Sequence, residues 1–243
     1  MTLDGRIVVV VGASSGVGLA VARSFADAGA RVHALARRRD LIERELSPLV
    51  RSKRVTARQL DVTDEPAVAS FFADVGDLDI LVYAAGTNVP RRRLAELSDA
   101  DWRTMLETNL AGAVNVMRAA LPALRRRRGD AVLIASVSGR WPDGSGPGYQ
   151  ATKAGVRALA HGLAYEEHQN GVRVTAILPG AIDTALVDRR PVPPTPEVRA
   201  KLLRPEDIAA ACLFAVTLPP RASVPELVIV ATEVQAIGRD LTR

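Results

Sequence analysis

Ile7-Val8-Val9-Val10-Val11-Gly12-Ala13-Ser14-Ser15-Gly16-Val17-Gly18 is the stretch that decides the fold. Five β-branched residues in a row read as a strand buried on both faces, the habit of a parallel sheet. The glycines then lead into a helix expected over 17–28. Gly-x-x-x-Gly-x-Gly departs from the usual dinucleotide spacing, but its physics carries over. Glycines let the backbone turn tightly and approach a pyrophosphate, which rests on the positive end of the helix. A strand, a glycine-rich turn and a helix at the front of the chain predict the first unit of a nucleotide-binding sheet.

Working outward, apolar runs at 31–36, 55–60, 80–83, 131–135, 172–178 and 227–230 predict six more strands. Helical patterns fall between them at 65–74, 99–124, 149–169 and 205–216, with Gly29, Gly129 and Gly171 where helix C-caps belong. Strands alternating with helices from end to end predict an α/β fold. We expect a single-domain Rossmann-type, doubly wound parallel sheet of about seven strands spanning residues 1–243. The one long irregular stretch, 185–196, carries Pro191, Pro193, Pro194 and Pro196 and is expected to act as a substrate lid.

Composition removes several classes. With 48% hydrophobic residues and a single cysteine, Cys212, the chain is neither disordered nor a disulfide scaffold. No apolar run approaches a membrane span, and the front run flows into glycines rather than a cleavage site, so a cytoplasmic protein is expected. A net charge of +5 and a pI of ≈ 10.0 invite a nucleic-acid reading. Aromatics at 4% and the lack of a recognition motif argue against it. Of the 32 basic residues only Lys53, Lys153 and Lys201 are lysines, so the excess is arginine.

Three arginine runs need separate readings. The second strand should present the residue that reads the ribose, and an acid there would select NAD. Here it ends Leu35-Ala36-Arg37-Arg38-Arg39, which favours NADP(H) over NAD(H), because Arg37 and Arg38 suit a 2′-phosphate. The run at 91–93 is open to two readings, attraction of an anionic substrate or a solvated or intersubunit face. The run at 125–128 ends a helix, where cations suit the dipole.

Tyr149-Gln150-Ala151-Thr152-Lys153 places a tyrosine and a lysine one helical turn apart. A nearby ammonium is expected to lower the phenol's pKa, so that Tyr149 can trade a proton with an alcohol or carbonyl oxygen. Ser136, at the end of the fifth strand, is positioned to hydrogen-bond the same oxygen.

These motifs resemble the short-chain dehydrogenase/reductase family over essentially the whole chain. The resemblance implies a cofactor loop at Gly12, Ser14, Ser15, Gly16, Val17 and Gly18. It also implies an adenine contact at Asp61 and Val62, and close approach to the cofactor at Ala85 and Gly86. Pro179, Gly180, Ile182 and Thr184 would hold the nicotinamide, with Tyr149 and Lys153 completing the cofactor set. The catalytic set it implies is Asn109, Ser136, Tyr149 and Lys153, Asn109 holding a water that relays protons from Lys153. Homodimers or homotetramers are the implied assemblies. Two positions depart from the pattern. Val11 replaces a threonine whose hydroxyl braces the turn, and Tyr83-Ala84 replaces an asparagine pair that ties the central sheet.

Asn88 is a candidate substitute for that tie and a candidate substrate contact, and Trp141 either walls the pocket or supports the fold. The pocket walls are expected from 87–93, 139–148 and 185–196. His33, His161 and His168 lack metal-ligand spacing, so no metal is expected. The function expected is NADP(H)-dependent interconversion of a small alcohol and its carbonyl, with neither nucleic acid nor membrane as a partner. The alternative is a non-catalytic NADP(H)-sensing protein.

Overall fold

The computed structural model describes residues 2–234. Among them one sheet contains β1 (Ile7–Val11), β2 (Arg31–Ala36), β3 (Val55–Gln59), β4 (Ile80–Tyr83), β5 (Asp130–Ile134), β6 (Arg173–Pro179) and β7 (Glu226–Ile229). The helices are α1 (Gly16–Asp27), α2 (Arg39–Glu45), α3 (Ser47–Arg51), α4 (Glu65–Val75), α5 (Asp99–Met105), α6 (Gly112–Arg127), α7 (Pro147–Glu167), α8 (Pro196–Arg199) and α9 (Pro205–Thr217). The strand order is β3-β2-β1-β4-β5-β6-β7, every neighbouring pair parallel. This is the Rossmann-type α/β sheet the alternation predicted.

Both faces of the sheet are covered, which explains the unbroken valines. Alternate side chains of a strand point to opposite faces. Val8 and Val10 therefore enter the core beneath α1 and α9, while Val9 and Val11 enter the one beneath α4, α6 and α7. Polar residues punctuate the helix starts. Asp64 accepts a hydrogen bond from the Ala67 amide ahead of α4, and Ser98 from the Asp101 amide ahead of α5.

Three expectations change. The helix read over 99–124 is interrupted: α5 passes into a π-helical turn, Leu106–Ala111, before α6 begins. Segment 39–51, left unassigned by the sequence, forms α2 and α3. Only Ile42 and Leu46 bury there as large apolar side chains, too few for a visible period. At the end of α6 the left-handed residue is Arg128 rather than Gly129. Gly129 is required for space, since a Cβ there would lie 2.6 Å from the Asp79 carbonyl oxygen.

The arginine run at 125–128 does more than answer the helix dipole. Arg125 grips buried Glu167 with two hydrogen bonds of 2.8 and 2.6 Å. Arg126 pairs with Asp77 at 3.1 Å and Arg127 with Asp79 at 3.0 Å. Among the described residues no helix is long and apolar enough to cross a membrane, and no cluster of potential metal ligands occurs.

Candidate active site

A cleft of ≈ 380 Å³ opens at the carboxyl ends of the strands. The strand order reverses between β1 and β4, where open α/β sheets bind ligands. The glycine-rich turn forms its floor. Gly12 adopts φ +86, and a Cβ there would meet the Ala85 amide nitrogen at 2.6 Å, so the two loops are in backbone contact. Val11 does not leave the turn unbraced: the Leu35 carbonyl accepts from both the Gly12 and Ala13 amides, at 2.8 and 3.0 Å. Ser15, the residue before α1, makes no side-chain capping bond, so its hydroxyl does not compete for the helix's first amides.

Ser14, Ser15, Gly16 and Val17 line this floor, and Gly18 does not. Gly18 serves packing: a Cβ there would stand 2.3 Å from the Gly12 carbonyl oxygen, so only glycine lets α1 start so near β1. Arg37 and Arg38 line the same end, with Arg38 Nη2 3.4 Å from Ser14 Oγ. Asp61 turns one carboxylate oxygen to the Thr63 amide and hydroxyl, at 3.0 and 2.9 Å, which fixes its orientation beside Val62. Ala85, Gly86, Pro179, Gly180, Ile182 and Thr184 line the middle. These residues fit a phosphorylated dinucleotide: glycines where backbone meets backbone, and guanidinium groups at the second strand's tip.

At the other end Ser136, Tyr149 and Lys153 converge. Pro147 starts α7, so Tyr149 and Lys153 fall on its first turns. Lys153 Nζ donates to the Ile134 carbonyl at 2.9 Å and lies 5.9 Å from the centroid of the Tyr149 ring. Both side chains are buried. Burial pushes the Lys153 ammonium down to about 8. Burial also pushes the Tyr149 phenol up to about 12, with Asp143 adding to the rise and the Ser136 hydrogen bond and the charges of Arg92 and Arg190 opposing it. The expected lowering of the tyrosine is thus overturned, because losing water outweighs the neighbouring cations.

Asn109 sits in the π-helical turn and is fully buried, behind the cleft rather than in its lining. Its Oδ1 accepts from the Thr87 amide at 2.7 Å, and its Nδ2 donates to the Thr87 carbonyl and to Thr152 Oγ1, each at 3.0 Å. The side chain thereby clasps the loop after β4 to α7. π-turns of this kind cluster at functional sites.

The tie expected of Asn88 is made by another residue. Tyr83, buried in β4, donates its phenolic proton to the Thr108 carbonyl at 2.6 Å and so holds the π-turn to the sheet. Asn88 lines the cleft and instead donates to the Ser145 carbonyl at 3.1 Å, joining two loops. Trp141 does not wall the pocket: it is absent from the lining, and its ring packs against the Arg140 guanidinium, 4.7 Å from the centroid. From the same loop Asp143 and Ser145 reach the cleft, within the wall expected over 139–148, together with Ser138, which the sequence reading missed. Ser138 two residues beyond Ser136 was the available signal. Ser136 Oγ lies 3.1 Å from both the Ser138 amide, which donates to it, and the Ser138 hydroxyl. Ser138 in turn donates to Asp143 at 2.6 Å.

The run at 91–93 divides. Arg92 is buried and lines the cleft, while Arg91 and Arg93 are exposed. Of the expected lid, the first part (Ala185, Leu186, Val187, Arg189 and Arg190) lines the cleft, and the proline-rich part does not. The last residues of the C-terminal tail lie outside the described residues.

Sheet and cleft together define a Rossmann-type protein with a polar site at its topological switch point. The short chain dehydrogenase family model matches residues 6–192, and the chain belongs to that family of oxidoreductases. It is 34% identical to the NADP-dependent 3-hydroxy acid dehydrogenase of Salmonella typhi over 229 residues, 90% of this chain and 92% of that protein. The fold is similar to that of an alcohol dehydrogenase from the archaeon Thermococcus sibiricus complexed with 5-hydroxy-NADP. The TM-score is 0.84 at 31% identity, covering 95% of this chain and 98% of that one. It is also similar to the closed form of a serine dehydrogenase complexed with NADP+, with TM-score 0.83, 31% identity, and 94% and 96% coverage.

Proposed function

We propose that the chain is an NADP(H)-dependent oxidoreductase that interconverts a secondary alcohol and a ketone, or a primary alcohol and an aldehyde. One observation carries this reading. A single cleft has Ser136, Tyr149 and Lys153 at one end and Arg37 and Arg38 at the other. The relatives whose names record NADP dependence or bound NADP-type nucleotides support the choice of cofactor.

Hydride transfer is the chemistry that bound NADP(H) supplies. The protein's own residues do the rest. Arg37, Arg38 and Ser14 take the 2′-phosphate through charge-assisted hydrogen bonds. The turn at Gly12 to Val17 receives the pyrophosphate, Asp61 and Val62 the adenine, and Gly86, Gly180 and Thr184 the nicotinamide. Tyr149 gives its hydroxyl proton to the substrate oxygen in reduction and takes it back in oxidation. Ser136 donates a hydrogen bond to the same oxygen. Lys153, largely charged at neutral pH with its pKa near 8, faces the tyrosine ring and steadies the negative charge left on the phenolate. Asn109 positions this end by holding Thr87 and Thr152.

The test is a panel of small carbonyls and alcohols with NADPH and NADH side by side. Consumption of NADPH at least about tenfold faster than NADH is expected, as one lost charge-assisted bond implies. No consumption of either nucleotide, or a preference for NADH, rejects the reading.

A further inference from the structure

The substrate half of the cleft is walled by arginines from two loops that latch one another. Arg92 Nη2 donates to the Arg189 carbonyl at 2.9 Å, and Arg189 Nη1 donates back to Thr87 Oγ1, also at 2.9 Å. Arg92 is further held by the Val89 carbonyl at 2.7 Å and is only 7% exposed. Thr87 is the residue that Asn109 clasps through its backbone. Arg189 therefore stands on the same frame as the tyrosine's end of the cleft, and much of the ordering cost of its guanidinium is met before a ligand arrives.

The geometry of the fork matters next. Its Nη1 is occupied by Thr87, whereas Nε and Nη2 of Arg189 make no hydrogen bond among the described residues. Two parallel donors on one edge match the two oxygens of a carboxylate. The charge balance points the same way. Among the described lining residues, this end of the cleft holds Arg92, Arg189 and Arg190 and one acid, Asp143. Both carboxylate oxygens of Asp143 are engaged within its own loop, by Ser138 Oγ at 2.6 Å and the Ser145 amide at 2.9 Å. The charges of Arg92 and Arg190 reach the Tyr149 hydroxyl, so they act where the substrate oxygen would lie. A neutral alcohol gains little from such a wall, and an anion gains a good deal.

We infer that this arginine wall selects substrates bearing a carboxylate close to the reacting carbon, with the open edge of Arg189 binding the carboxylate and Arg92 and Arg190 supplying the field. Short hydroxy acids and their oxo acids are the class that fits. The inference rests on Tyr149 marking the reacting end, as in the proposed function.

A matched pair tests it: 3-hydroxybutyrate against 1,3-butanediol, oxidised with NADP+. The wild-type chain is expected to favour the acid by about ten- to a hundredfold in kcat/KM, the range of charge-assisted hydrogen bonds. In Arg189→Gln that ratio falls at least about tenfold, and Arg189→Lys, which keeps charge without the fork, falls between. A purely structural role for Arg189 would lower both substrates together and leave the ratio in place. The inference is overturned if the diol matches the acid in the wild type, or if the ratio survives Arg189→Gln. Calorimetric titrations of acid, diol and NADPH separate this from the cofactor reading. Acid selectivity without NADPH binding would reject the cofactor and keep the wall; NADPH binding with acid and diol bound alike would reject the wall.

Discussion

Lys153 holds its ammonium 5.9 Å from the centroid of the Tyr149 ring, anchored from behind by the Ile134 carbonyl at 2.9 Å. The two side chains are buried together, and burial drives their pKa values apart, down to about 8 for the lysine and up to about 12 for the phenol. Water exclusion thus keeps the phenol protonated and weakens the ammonium until a substrate oxygen and a developing charge enter the pair.

Tyr149→Phe removes the proton donor while keeping the ring's volume. NADPH binding, followed by quenching or enhancement of nucleotide fluorescence, is expected to stay within a few-fold of wild type. Carbonyl reduction should fall by about a hundred- to ten-thousandfold, the usual worth of a positioned acid. Turnover that survives the change would transfer the proton role to another group.

Lys153→Met tests the cost of burying the ammonium. The lysine's pKa falls from 10.5 unfolded to about 8 folded. Below pH 8 the charge is carried in both states and the full burial penalty applies. Between pH 8 and 10.5 the folded chain has shed a proton that the unfolded chain keeps, so wild-type stability gains with rising pH. The variant should therefore be more stable at pH 7, by about 3 kcal/mol at most. Its advantage should shrink as the pH approaches 10. Thermal melts of both proteins from pH 7 to 10 check this; parallel curves would show that the ammonium is not paying a burial cost.

Arg38→Glu places a carboxylate where a 2′-phosphate would sit. The ratio of kcat/KM for NADPH over NADH should drop by at least about tenfold, since a charge-assisted bond is lost and a repulsion added. Arg38→Gln should give a smaller drop. An unchanged ratio in both would move phosphate recognition to Arg37.

Tyr83→Phe deletes the hydrogen bond to the Thr108 carbonyl without changing the core volume. Leaving that carbonyl without its partner should cost about 1–3 kcal/mol by denaturant unfolding. Because Thr108 belongs to the π-turn that carries Asn109, kcat is expected to fall more than KM rises. A loss of stability with unaltered kcat would confine Tyr83 to folding.

The sequence by itself determined the sheet and the order of chemistry along its edge. A short unbroken β-branched run between turn signals favours a doubly covered strand, glycines between strand and helix favour a tight turn, and the carboxyl ends of the strands face the crevice of an open parallel sheet. Those are local rules of period and sterics, so Gly12, Arg38, Ser136 and Tyr149 could be placed from spacing alone. What only the tertiary structure decided depends on residues far apart in the chain. Tyr83 meets Thr108, Arg92 meets Arg189, and Asn88 meets Ser145 through loops whose paths no periodicity encodes. Trp141 and Gly18 lie outside the lining through nearer contacts, one packing on Arg140 and the other set close against Gly12. The phenol's pKa was reversed by burial, a property of how the chain packs around it. Burial and loop contact are sums over distant neighbours, and they settled which cations face the tyrosine.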